Sequence, residues 1–259
     1  MPLPSLIGLS FHRPRRLPAI ARAWRSACGE KRPNWTRWES LKGKDKHELL
    51  HDVAHACSNS SGRGGVGGAY VDAYDEEDID IIVELEQWSV EHVVARSKIN
   101  GSEPGDGEDD PLGWVEATRS ANSRRSNHPL VLWPFPPNSI LLGDFVTLHG
   151  VKHYVPPEAQ RARLARKWAF VRATYPGEVS EVSAAQRENM PLIVSMMKNT
   201  LPFPSELCVN AHFRDKYGWG NPLLERNANA WLDDPVFRGL VTGVWWKNVS
   251  RADALKSAR

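Results

Sequence analysis

The sequence predicts an α+β fold: one domain over residues 36–259, in which a strand–loop–strand–helix unit packs among several helices, preceded by a basic, poorly ordered N-terminal arm over 1–35. Three observations predict it. Apolar residues recur at helical spacing in two long stretches, and two short β-like segments stand about twenty residues apart with a polar helix after the second. Of the 259 residues, 41% are hydrophobic, enough for one sizeable core.

The arm is defined by charge. Residues 1–29 carry Arg13, Arg15, Arg16, Arg22 and Arg25 and no acid, which fits either an organelle transit segment or a disordered basic arm. The apolar stretch Leu3–Leu9 has no positive charge before it and no clear cleavage site after it, so a secretory signal is not supported. From Lys44 to Cys57, Leu49, Leu50, Val53, Ala54 and Cys57 recur at helical spacing and predict a first core helix. Ser58–Gly68 reads as a loop. Its Gly62, Gly64 and Gly67 satisfy G-x-G-x-x-G, but SNSS precedes them and a β-like Ala-Tyr-Val follows, which is the wrong context for a pyrophosphate. The acidic run Asp72–Asp80 lacks the ligand order and central glycine of a calcium loop and reads as a solvated turn, followed by the apolar stretch Ile79–Leu85.

Trp88–Ser97 then forms a β-like segment bearing adjacent Glu91 and His92. An acidic, glycine-rich loop leads to a second strand around Leu112–Val115 and a polar helix from about Thr118. Pro157 suits a helix start, and Leu164, Trp168, Val171 and Tyr175 predict a long amphipathic helix. Its other face carries Arg161, Arg163, Arg166, Lys167 and Arg172, read as a solvated face in preference to a phosphate-tracking one. A further apolar helix spans Met190–Lys198 with Pro191 in its first turn, and Trp219, Trp231, Trp245 and Trp246 are expected on the core.

The net charge of +2 makes the chain no polycation, so any affinity for nucleic acid depends on where the charge lies. Cys28, Cys57 and Cys208 are far apart, odd in number and in no C-x-x-C pair. They suggest neither a disulfide framework nor a zinc ribbon, and an intracellular, reducing compartment. No apolar run approaches the roughly 18–20 residues of a membrane span. His128, His149 and His153 match no zinc spacing and read as surface or capping residues, and no motif supports Ser126 or Cys208 as a nucleophile.

Hydrolysis of a phosphodiester needs an activated water, a countercharge for the transition state and a proton for the leaving oxygen. An imidazole with its ordinary pKa of about 6.5 suits the first task, which His92 can take. Magnesium binds hard oxygen donors and keeps several waters, so the Glu91 carboxylate and the Asn122 amide oxygen would suffice, if the helix crosses the strands. Manganese or calcium would serve the same donors. Arg96, Lys98, Arg119, Arg124 and Arg125 surround this site as candidate phosphate contacts, which carry no base information.

Glu91-His92-Val93 and the helix Asn122-Ser123-Arg124-Arg125-Ser126-Asn127 resemble the ββα-metal (His-Me finger) site of the endonuclease I family, with its EHV strand and N-x-x-R-x-N helix. Leu41–Ala56, Ala162–Tyr175 and Gly220–Leu224 are similar to that family's opening helix, post-motif helix and terminal element, so the resemblance covers most of residues 41–235. It implies an endonuclease I-like domain over 36–259 that is a magnesium-dependent, largely non-specific endonuclease of DNA or RNA. His92 would be the general base, Glu91 and Asn122 the metal ligands and Arg125 the basic helix position, with products ending in 5′-phosphate and 3′-hydroxyl. The chain departs from the pattern at Ala95, Leu112 and Glu116, where the family usually has Pro, His and Pro. The rival expectation is a catalytically weak or inactive nucleic-acid-binding or structural protein on the same scaffold.

Overall fold

The computed structural model describes residues 19–29, 88–99, 107, 109–135, 144–175, 179 and 182–243, with positions 53, 57, 70–71, 74 and 78–79. Their order is helix α1 (Ala19–Cys28), strands β1 (Tyr70–Val71), β2 (Asp78–Ile79), β3 (Trp88–His92) and β4 (Trp114–Thr118), helix α2 (Arg119–Arg125), strands β5 (Phe145–Leu148) and β6 (Val151–Tyr154), then α3 (Glu158–Thr174), α4 (Ala184–Glu188), α5 (Met190–Asn199), α6 (Pro204–Tyr217), α7 (Ala228–Asp233) and α8 (Pro235–Thr242). The strands pair antiparallel as β1–β2, β3–β4 and β5–β6, which makes the fold α+β.

Helix α3 is the axis of the core. Every residue from Gln160 to Thr174 is buried, and α1, α5, α8 and the 3-10 turns Pro111–Gly113 and Pro222–Leu224 pack around it. Neither the solvated nor the phosphate-tracking reading of its basic face survives. Arg161 donates to the carbonyls of Pro156 and Trp133, and Arg163 pairs with Glu116. Arg166 forks onto the Glu206 carboxylate and reaches the Thr200 carbonyl. Lys167 meets the Leu112 carbonyl and Arg172 that of Val241. A buried cation costs several kcal/mol unless partnered, and each of these five has partners inside the fold.

The arm expected over 1–35 is corrected at its centre. Ala19–Cys28 is a helix whose Ala21, Trp24 and Cys28 form a buried stripe. Trp24 donates from Nε1 to Thr174 Oγ1 at 3.1 Å and packs its ring against Phe170, Trp231 and Phe237. The charge count over this window concealed an apolar period of about four residues. Residues 1–18 and 30–35 lie outside the described residues.

The expectation of no disulfide is also overturned. Cys57 bonds Cys208 of α6 across 151 residues of sequence, with the Cα atoms 5.5 Å apart. A pairing over that separation leaves no trace in local spacing. Cys28 is a buried thiol whose pKa burial pushes far up.

Of the helix expected over Lys44–Cys57, Val53 and Cys57 are helical and buried; its other residues lie outside the described ones, as do the glycine-rich loop, most of Asp72–Leu85, and Trp245 and Trp246. The strand expected at Leu112–Val115 begins later, at Trp114. Pro111–Gly113 is a 3-10 turn capped by buried Asp110, whose carboxylate accepts from the Leu112 N–H at 3.0 Å, the Tyr175 hydroxyl at 2.6 Å and Trp219 Nε1 at 3.0 Å. Among the described residues no helix is long and apolar enough to cross a membrane.

Candidate functional site

The β3–β4 ribbon fixes the site by register: Ser89 pairs with Ala117, Val90 with Glu116, Glu91 with Val115 and His92 with Trp114. Side chains alternate along a strand, and directly opposed residues share a face. One face therefore carries Ser89, Glu91, Val115 and Ala117, and α2 covers it; the other carries Val90, His92, Trp114 and Glu116, and Glu116 meets Arg163 of α3 there.

Helix α2 follows β4 without a loop because Thr118 ends the strand and caps the helix, its Oγ1 accepting from the Ala121 N–H at 3.2 Å. Fully buried Ala121 lets the helix sit close to the ribbon. Asn122 and Arg125, one turn apart, then reach the same strand. Asn122 Nδ2 donates to Ser89 Oγ at 2.8 Å and, at 3.4 Å, to the Val90 carbonyl. Arg125 ion-pairs with Glu91 and donates to the carbonyls of His92 at 3.0 Å and Val93 at 2.9 Å, while its Nε is buried without a partner.

Glu91, Asn122 and Arg125 thus come together on one face. The His92 ring belongs to the opposite face, half-buried, with its centroid 5.6 Å from that of Trp114 in the last paired position of the ribbon. Arg125, expected as a phosphate contact, is corrected: it is 2% exposed and serves the interior. Its position on the inward stripe of α2, with Ala121, explains why. Arg96, Lys98, Arg119 and Arg124 are exposed, and Arg124 lies 3.4 Å from Asp144.

Compared with family models, curated proteins and solved structures, the chain matches none.

The two buried glutamates of the ribbon titrate in opposite directions. Burial pushes Glu91 up to about 7, against the pull of Arg125, Tyr74 and a backbone hydrogen bond from His92. Burial also disfavours the charge on Glu116, but Arg163 and Lys167 outweigh it and hold that carboxyl below its ordinary value. Lys167 in turn is pushed down to about 8 by burial and by Arg163, with Glu116 opposing.

Tyr74 is the partner that sequence reading missed: its hydroxyl donates to Glu91 Oε1 at 3.5 Å, and its carbonyl accepts from the Tyr154 hydroxyl at 3.1 Å. No local pattern marks it. Ala95, Leu112 and Glu116, where the family pattern is lost, are all buried. His153 is a buried structural group, with Nδ1 2.8 Å from the Val151 carbonyl and Nε2 2.8 Å from Ser183 Oγ, the cap of α4; burial lowers its pKa. His149 lies on Glu188 at 2.8 Å, and the His128 ring packs edge-on against Phe145.

Among the described residues no group of three His, Cys, Asp or Glu could hold a metal ion. A cation here would have two protein donors, the Glu91 carboxylate and Asn122 Oδ1, which accepts no hydrogen bond among the described residues. Two hard oxygens are the donor type of a magnesium-type ion that keeps most of its water, and Glu91 would have to share its charge between such an ion and Arg125.

Proposed function

We propose that the chain is a metal-dependent endonuclease of the ββα-metal type, hydrolysing phosphodiester bonds of DNA or RNA with little base preference. The observation that supports it is the convergence of the Glu91 carboxylate and the Asn122 amide on one face of the β3–β4 ribbon, beside the strand end that carries His92. Bound there, magnesium would supply countercharge to the phosphate and an acidified water for the leaving oxygen. His92 would take the proton of the attacking water. In an in-line displacement the attacking and leaving oxygens lie on opposite sides of phosphorus, so a base and a cation on opposite faces of one strand end suit a phosphate laid across that end. Arg96 and Lys98, on the 3-10 turn just past β3, and Arg119 and Arg124 on α2 offer exposed charge to the neighbouring phosphates.

A second reading, a nucleic-acid-binding or structural module on the same scaffold, is favoured by the closed ion pair between Glu91 and Arg125. A plasmid-nicking assay in magnesium, manganese and calcium separates the two. Wild type is expected to nick supercoiled DNA, and His92→Ala to lose about 10²–10⁴ in rate while retaining the metal. If wild type leaves the plasmid intact in all three ions, the enzyme reading fails; salt-dependent retention of DNA then supports the binding module. Cys57–Cys208 supports an oxidising compartment in place of the reducing one that cysteine scarcity suggested.

A further inference from the structure

Arg125 holds three oxygens of β3 and its exit at once: the Glu91 carboxylate and the carbonyls of His92 and Val93. The two carbonyl bonds anchor the guanidinium independently of Glu91, and the residue is 2% exposed. A cation approaching Glu91 therefore meets a fixed positive charge. With Glu91 ionised, its pair with Arg125 is neutral, so a divalent ion would add two uncompensated positive charges beside a buried guanidinium. Like charges in a poorly solvated site repel strongly, and an anion entering with the ion removes most of that repulsion.

We propose that Arg125 makes divalent-cation binding at Glu91 and Asn122 conditional on a phosphodiester anion. Resting on the reading of those two residues as cation donors, it adds that the free protein holds the ion weakly and that ion and nucleic-acid backbone bind as a coupled pair. Arg125 is then a positioning residue: it never touches substrate, it holds the strand end, and it keeps the ion out until negative charge arrives.

Calorimetric titration of Mn²⁺ into the full chain carrying His92→Ala, chosen to slow any cleavage during the titration, tests this without reference to turnover. Without nucleic acid, Arg125→Gln is expected to bind Mn²⁺ about tenfold tighter, within the usual range of site–site coupling, whereas Arg125→Lys, which keeps the charge, stays as weak as its parent. Unchanged or weaker binding by Arg125→Gln, or equal tightening by Arg125→Lys, overturns the proposal. Glu91→Gln is the control. Binding that Glu91→Gln abolishes but Arg125→Gln leaves alone sinks only the coupling, whereas binding indifferent to Glu91→Gln sinks the cation-site reading as well. A second measurement needs no change at 125, should Arg125→Gln fail to fold. A phosphodiester duplex is expected to tighten Mn²⁺ binding about tenfold, and the same duplex with a neutral methylphosphonate backbone to leave it unchanged; an equal effect of both overturns the proposal.

Discussion

The two faces of the β3–β4 ribbon solve one problem in two ways. On the α3 face, Glu116 has two cations, Arg163 and Lys167, and its charge is held below the ordinary carboxylate range. On the α2 face, Glu91 has the single guanidinium of Arg125 and is pushed up to about 7. Both carboxylates are buried in the same two strands, at positions one register step apart across the ladder. The difference teaches that countercharge, and not depth, separates a carboxylate locked into structure from one left short of positive charge. The face left short is the one that also carries Asn122.

The largest expected effect breaks the structural face. Arg163→Met removes the ion-pair partner of buried Glu116, leaving it only Lys167, and should cost about 3–5 kcal/mol by urea denaturation. Arg125→Met should cost less, about 1–3 kcal/mol, because Glu91 can take up a proton; equal costs would erase the distinction between the faces. Next, Cys57→Ser with Cys208→Ser should lower stability by about 2–4 kcal/mol while leaving the gap between the two Arg variants intact, since neither cysteine is a partner of either glutamate.

The pH dependence sharpens the comparison further. Glu91 has a folded pKa of about 7 against an ordinary 4.5, so the folded chain binds the extra proton between those values. Its contribution is full below the unfolded pKa and lost as pH rises through about 7. Glu116 is shifted the other way, and its contribution is present above the unfolded pKa and lost as pH falls through a folded value below it. Urea midpoints of Glu91→Gln should lose the decline between about pH 4.5 and 7, and Glu116→Gln part of the acid-side loss. Smallest of all, Arg124→Ala breaks an exposed pair with Asp144 and should move stability by less than about 1 kcal/mol; under the proposed function it should also flatten the salt dependence of DNA retention by about one phosphate.

Local pattern was enough wherever one element decides its own conformation. The strands carrying Glu91 and the helix carrying Asn122 were legible because alternation, a Thr cap and a polar helix act over a few residues, and the helices after Pro157 and around Met190 showed their periods. The β5–β6 hairpin and α6 to α8 were not read, since their short runs give weak periodic signals. Helix α1 hid behind its arginines.

What the sequence determined by itself is the α+β arrangement and the close sequence of Glu91, His92 and Asn122 along a strand and a nearby helix, because register and helical pitch are set by neighbours. Only the tertiary structure decided where charge goes: that the basic stripe of α3 turns inward onto Glu116, Glu206 and backbone carbonyls, that Arg125 closes on Glu91, that Cys57 finds Cys208, and that His92 and Asn122 stand on opposite faces. Most of these depend on partners far away in the chain, 34 positions for Arg125 and Glu91, 47 for Arg163 and Glu116 and 151 for the two cysteines. A charged side chain reads the same in sequence whether its partner is water or a buried carboxylate, and packing alone chooses between them.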